Sequence, residues 1–122
     1  MSTSDKLVPV VEAKTTSYAV TSADFGKFLT TRGAGGAITF TLPAVVSGFK
    51  GAYVDFYNVA DQDMIVAGTA GELVTFNDAA ANSVAYSTSS EQIGACVRAF
   101  CDGTSWLMIL MAEETATMTV AT

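Results

Sequence analysis

The sequence contains no histidine, and its 122 residues include only two cysteines. Without histidine the chain lacks the commonest general base and the usual metal ligand, and a Ser-His-Asp triad is excluded. Cys96 and Cys101 are five residues apart on one predicted strand, so their side chains point to opposite faces and do not bridge each other. We expect no cofactor, no metal site and no enzymatic activity. The thiols are interpreted as small buried hydrophobes, with an intermolecular disulfide as the alternative.

Positive charge is also scarce, because six Lys and Arg stand against twelve Asp and Glu, for a net charge of −6. The basic residues are scattered along the chain and form no patch that would neutralise phosphates. This excludes nucleic acid as an expected partner and disfavours anionic membranes. Residues 1–6 lack the charged-then-apolar pattern of a signal peptide, so we expect synthesis and retention in a cytoplasm until release.

Long apolar runs are missing too, although half of the residues are apolar and only 15% are charged. The longest run, residues 106–112, has the length of a strand and is far shorter than the ~18 residues that cross a bilayer. A chain this apolar needs further burial beyond one small core. We therefore expect part of its surface to be buried between subunits.

Hydrophobic periodicity favours strands throughout. Ile38, Phe40 and Leu42 alternate with threonines, and Val54 and Phe56 alternate with tyrosines and an aspartate. No segment shows sustained helical spacing, and turn signals recur about every ten residues. The pattern predicts an all-β fold, an antiparallel sandwich or barrel of jelly-roll type with roughly eight or nine strands. We divide the chain into an extended arm over residues 1–15 and a single β domain over residues 16–122.

The clearest local signal is Asp102-Gly103 between two apolar runs, which predicts a hairpin closed by a type I′ turn. The second run shows no polar alternation, so both of its faces should be covered, one by the core and one by another subunit. The predicted interface residues are Trp106, Leu107, Met108, Ile109, Leu110 and Met111. In the arm, Pro9 cannot donate to a sheet, which predicts either an edge strand or an extended arm. An extended arm would lie on a neighbour or form a frayed terminus.

Two further groups of residues were weighed for binding. Asp61 and Asp63 resemble half of a calcium loop, but the remaining ligands do not follow, which favours a solvated turn. Trp106 could stack on a sugar with help from tyrosines, or it could be a core or interface anchor, which we favour. The tyrosines of the sugar-binding alternative are Tyr53, Tyr57 and Tyr86.

Three segments together resemble small β-modules of tailed-phage structural proteins. Residues 16–29, TSYAVTSADFGKFL, are similar to the "sYtlt-aDsGk-i" opening of those modules. Residues 37–43, AITFTLP, are similar to their "tiTLP" strand, and residues 102–106, DGTSW, to their closing "DGT-W" hairpin. In order, the three segments span most of residues 16–111.

The resemblance implies a trimeric β-structure without catalytic residues, such as a capsid decoration (cement) protein, a head fibre or a tail-fibre module. The sequence contains no repeat or heptad region of the kind that forms a fibre shaft. This favours a protein that decorates the capsid exterior. The expected partners are then two further copies of the chain, bound through residues 106–111, and the major capsid protein. The residues expected to contact capsid or a neighbouring subunit are Val8, Pro9, Val10 and Val11. The alternative is a fibre-tip module that recognises host glycan.

Overall fold

The computed structural model describes residues 8–110 and 118–121. Within those residues the chain forms short strands and two single-turn 3-10 helices, Ser22–Asp24 and Ser47–Phe49. In chain order the strands are β1 (Val11–Ala13), β2 (Tyr18–Ala19), β3 (Phe28–Thr30), β4 (Ile38–Thr41), β5 (Tyr53–Tyr57), β6 (Met64–Ala67), β7 (Leu73–Thr75), β8 (Asp78–Ala81), β9 (Ser83–Tyr86), β10 (Cys96–Cys101), β11 (Trp106–Leu110) and β12 (Thr119–Ala121). They are shorter and more numerous than the eight or nine expected.

The strands form two sheets that pack against each other. The larger sheet has the order β1-β3-β5-β10-β11-β7-β8, and the smaller has the order β12-β9-β6-β4-β2. Phe40 of the smaller sheet meets Phe56 of the larger one in the core, with ring centroids 4.8 Å apart. The predicted all-β sandwich is confirmed.

Strand direction differs from the expectation of an antiparallel fold, because half of the pairings between described strands are parallel. The first six strands alternate between the two sheets, so β3 returns beside β1, and β4 beside β2, after a full circuit. Each circuit brings the chain back in the same direction, and the crossover that a parallel pair requires is supplied by a strand of the opposite sheet. The antiparallel expectation was wrong for these strands because strands that are neighbours in sequence lie in opposite sheets and do not pair with each other.

The core follows the period-two patterns of the sequence. Val54 and Phe56 are buried on one face of β5, and Ile38 and Phe40 are buried on one face of β4, as predicted. Trp106 is fully buried, and its indole Nε1 donates a hydrogen bond to the carbonyl oxygen of Pro43 at 3.0 Å. Trp106 therefore anchors the core of its own chain.

The predicted hairpin is present, but its turn is longer than expected. Cys101 pairs with Trp106, which leaves a four-residue loop. Gly103 has a positive φ of 93°, whereas Asp102 does not share that conformation, so the loop is not a type I′ turn. Instead, Asp102 Oδ1 accepts hydrogen bonds from the backbone N–H groups of Thr104 and Ser105 at 2.9 and 2.8 Å. A side chain closes this turn.

The predicted arm is partly built into the domain. Residues 11–13 form β1, which pairs in parallel with β3 at the edge of the larger sheet. Of the two alternatives for this segment, the structure has the edge strand. Residues 1–7 lie outside the described residues, so the structure places only the second half of the predicted arm.

Candidate interaction face

The strand predicted to form a subunit interface divides its side chains between two environments. Trp106 and Met108 point into the core of the same chain, and Leu110 is half-buried against that core. Leu107 and Ile109 point outward, and Ile109 is 47% exposed. Met111 lies outside the described residues. Only the outward pair is therefore positioned to meet another molecule, because the chain itself covers Trp106 and Met108.

Outward side chains of five neighbouring strands form a continuous surface, which we call the apolar face. Its members alternate with core residues and lie beside one another in the registered pairs of the larger sheet. They are Val11, Phe28, Tyr53, Tyr57, Cys96, Phe100, Leu107 and Ile109, together with Asp55 and Arg98 at the centre. The apolar face combines aromatic and aliphatic groups, as the centres of protein interfaces do.

Aromatic rings give the apolar face a defined shape. Tyr53 and Phe100 are cross-strand partners, and their rings stack at 6.4 Å between centroids with an angle of 6°. Phe28 and Tyr57, on neighbouring strands, also stack, at 5.9 Å between centroids with an angle of 30°. These rings are half-buried by their neighbours. A contacting molecule would meet rings that are already ordered, so little side-chain entropy would be lost on binding.

One ion pair occupies the centre of the apolar face. Arg98 and Asp55 are cross-strand partners, and the guanidinium contacts both carboxylate oxygens, with Nε to Oδ1 at 2.7 Å and the second nitrogen to Oδ2 at 3.0 Å. The same guanidinium lies 4.5 Å from the centre of the Tyr53 ring. Hydrogen bonding to Asp55 raises the pKa of Arg98 further above its already high value. The outward positions of these five strands therefore carry no net charge.

Two shallow grooves flank β1, at the edge of the apolar face. One, of about 460 Å³, is lined by the arm residues Val8, Pro9 and Val10 together with Phe25 and Tyr53. The other, of about 440 Å³, includes Val11, Phe28, Arg32 and Tyr57 among its lining residues. Val8, Val10 and Val11 are 79%, 54% and 63% exposed. The described part of the predicted arm thus presents valines beside the aromatic rings.

A network of salt bridges connects β1 to the rest of the domain. Lys27 contacts both Glu12 of β1, at 3.0 Å, and the buried Asp24, at 3.2 Å. Lys14 contacts Glu12 at 3.2 Å and lies over the Tyr18 ring, 3.9 Å from its centre. Hydrogen bonds from Lys27 and Lys14 lower the pKa of Glu12. The network joins the edge strand to both sheets.

Asp24 is the buried centre of that network. Its carboxylate accepts hydrogen bonds from the Tyr18 hydroxyl, at 2.9 Å, and from the Thr21 backbone N–H, also at 2.9 Å. Burial by itself raises the pKa of Asp24, but the hydrogen bonds from Thr21, Tyr18 and Lys27 outweigh it, so the pKa lies below its usual value. The Asp24 carboxylate therefore closes the Ser22–Asp24 turn by bonding to nearby backbone.

The four aromatic residues of the sugar-binding alternative lie in two different environments in the fold. Trp106 and Tyr86 are buried, and burial raises the pKa of Tyr86 to about 12. Neither ring is available to a ligand. Tyr53 and Tyr57 lie on the apolar face and remain partly exposed.

Other polar residues show ordinary structural roles. Asp63 accepts a hydrogen bond from the side chain of Gln92, which is buried. Among residues 8–110 and 118–121 no group of three or more His, Cys, Asp or Glu side chains is arranged to hold a metal. Cys96 and Cys101 lie on opposite faces of β10, as expected, and they do not bond to each other. Cys101 is buried, whereas Cys96 is only half-buried on the apolar face, so the expectation of two buried thiols was wrong for Cys96. Burial raises the pKa of the Cys96 thiol.

Sequence reasoning identified only part of the apolar face. It placed Tyr53, Asp55 and Tyr57 together on one side of β5 and named Leu107 and Ile109, but it missed Phe28, Arg98 and Phe100. Period-two alternation of Cys96, Arg98 and Phe100 was the available signal for β10. It was obscured because apolar residues occupy both faces of β10, with Val97 and Ala99 inward and Cys96 and Phe100 outward.

In the part of the chain that the structure describes, no helix is both long and apolar enough to cross a membrane.

No family model matches the sequence, and comparison with curated proteins and with solved structures finds no match.

Proposed function

We propose that this chain is a non-enzymatic structural protein of a tailed-phage virion, which decorates and stabilises the capsid exterior as a homotrimer. The observation that carries the proposal is the apolar face, because an ordered sheet surface that is rich in aromatic residues and carries no net charge is suited to permanent contact between proteins. The phage assignment is supported by the sequence resemblance of residues 16–29, 37–43 and 102–106. The chain would be made in the host bacterial cytoplasm and bind the major capsid protein as heads mature.

The physical task of such a protein is to add buried surface across joints between capsid subunits. Internal pressure strains those joints, and a trimer that contacts several subunits would resist their separation. The exposed Val8, Pro9, Val10 and Val11 would provide an apolar contact to capsid or to a neighbouring copy. The excess negative charge would keep decorated particles from adhering to DNA and to one another.

The direct test is the copy number of this chain in purified virions, measured by quantitative mass spectrometry against the major capsid protein. We expect a ratio near one, or a fixed large fraction of one. A handful of copies per particle would instead place the protein in a fibre. Its absence from the particle would overturn the virion assignment.

A second candidate is a fibre-tip module that recognises host glycan. The observation in its favour is the pair of outward tyrosines, Tyr53 and Tyr57, because sugars stack on exposed aromatic rings. A glycan array with the purified protein tests it, with a Tyr57→Ala variant as the control. Binding that Tyr57→Ala abolishes would favour this candidate, and no binding to any glycan would remove it.

A further inference from the structure

We infer that the apolar face is the surface through which copies of this chain bind one another. The inference deepens the proposed function and rests on it for the number of copies. In the single chain this face leaves Ile109 47% exposed and Val11 63% exposed, next to partly exposed aromatic rings. Contiguous apolar surface of this kind on a folded protein marks a site of contact with another molecule.

Charge indicates what that other molecule is. The chain carries a net charge of −6, so two copies repel each other in most orientations. At the outward positions of β1, β3, β5, β10 and β11 the charged residues are Asp55 and Arg98, and their charges neutralise each other. Apolar faces that meet around a three-fold axis therefore bring no unbalanced acidic groups together. A second copy of this chain is the occupant that fits this charge distribution.

The size of the apolar face is sufficient for such a contact. Five strands spaced about 4.8 Å apart, each with outward side chains about 7 Å apart, give a face of about 25 by 20 Å. Two copies would bury about 1,000 Å² in total, at the lower limit for a specific interface. Interfaces of this size depend on a few central side chains, and Ile109 lies beside the central ion pair, in register with Arg98.

The ion pair does not oppose this contact. Removing an unpaired charge from water would be costly, but the guanidinium and carboxylate already satisfy each other through two hydrogen bonds. Arginine is among the residues enriched in interface cores, where its planar group packs on aromatic rings. Arg98 already lies over the Tyr53 ring.

The first test measures molar mass across a range of protein concentrations by sedimentation, for the full chain and two variants. Ile109→Asp places a carboxylate on the apolar face. Val46→Asp is the matched control, because Val46 is similarly exposed, at 51%, but lies in the loop before Ser47–Phe49. We expect Ile109→Asp to weaken self-association about 100-fold, because the contact would bury an unpaired carboxylate, and Val46→Asp to leave it unchanged. A monomeric wild type, or equal effects of both variants, would overturn the inference.

A second measurement uses the wild-type chain and remains valid if Ile109→Asp does not fold. Cys96 lies on the apolar face, and the fully buried Cys101 provides an internal reference within the same strand. Maleimide should label Cys96 more slowly as the protein concentration rises, in proportion to the associated fraction. A Cys96 labelling rate that does not change while the molar mass increases would place the interface elsewhere and overturn the inference.

The two proposals fail in distinguishable ways. A dimer or trimer that uses the apolar face but is absent from virions would overturn the virion assignment and leave the interface standing. If the chain is abundant in virions but the rate of Cys96 labelling does not depend on protein concentration, the interface is overturned and the virion assignment stands.

Discussion

Arg98 and Asp55 are 43 residues apart in sequence, yet they form a two-point ion pair at the centre of the larger sheet. Their side chains are 40% and 13% exposed, so water weakens the attraction in the single chain. A double-mutant cycle with Arg98→Ala and Asp55→Ala should give a coupling energy of about 0.5–1 kcal/mol, from urea unfolding of dilute protein.

The same cycle distinguishes the single chain from the associated one. Because association removes water from the pair, the coupling energy should rise when unfolding is measured at concentrations where the protein is oligomeric. A coupling energy that is unchanged by protein concentration would argue against burial of Arg98 and Asp55 between copies.

Asp24 predicts how stability depends on pH. Its pKa is lowered in the folded chain, so the ionised carboxylate contributes stability that is fully present above the unfolded pKa of about 4. That stability is lost as pH falls through the folded pKa. We expect the free energy of unfolding to decline below about pH 4, with Glu12 and Asp102, whose pKa values are also lowered, contributing in the same direction.

Asp24→Asn isolates the contribution of this carboxylate. The amide cannot form the ion pair with Lys27, so the free energy of unfolding at pH 7 should fall by about 1–3 kcal/mol. The difference from wild type should shrink at pH 3, because this pH lies below the unfolded pKa of Asp24, where the stability contributed by the carboxylate charge is already declining. Asp61→Asn, at an exposed position, is the control and should change little. If Asp24→Asn lowers the free energy of unfolding equally at pH 7 and pH 3, the negative charge of Asp24 does not contribute to stability.

Trp106→Phe tests the anchor between the hairpin and the loop after β4. The substitution removes the hydrogen bond to the Pro43 carbonyl and leaves a cavity beside Phe25, whose ring lies 6.0 Å from the indole. We expect a loss of about 2–4 kcal/mol in the free energy of unfolding, followed by circular dichroism. Leu107→Ala, next in sequence but outward, should destabilise the single chain much less. Equal losses would mean that the inward and outward sides of β11 contribute alike.

Two truncations separate the arm's role in binding from its role in folding. Removal of residues 1–10 keeps β1 and its contacts to Lys27, so the domain should remain folded while losing the contact proposed for Val8, Pro9 and Val10. Removal of residues 1–15 also deletes β1, uncovers the edge of β3 and eliminates the Glu12 and Lys14 contacts. The longer truncation should therefore lower the melting temperature as well.

Binding of both truncated proteins to heads that lack this chain is measured by co-sedimentation. A folded chain without residues 1–10 that still binds heads would exclude Val8, Pro9 and Val10 as a capsid contact. A chain without residues 1–15 that melts at the wild-type temperature would show that β1 contributes no stability.

The sequence alone determined the features that depend on neighbours in the chain. The alternation of Ile38, Phe40 and Leu42 gave the inner face of β4, and Asp102-Gly103 located the hairpin between β10 and β11. The absence of helical spacing gave the all-β class. These conclusions hold because the side-chain period of a strand and the chemistry of a turn are local properties.

Tertiary structure decided which strands are neighbours and therefore which side chains share a surface. A period of two separates the faces of one strand but does not specify its partner, so the alternation of the first six strands between sheets was not predictable from pattern alone. The same limit applies to the pairing of Arg98 with Asp55 and to the burial of Trp106 within its own chain. Contacts between distant residues arise from the global packing of both sheets, and this packing assembled the apolar face.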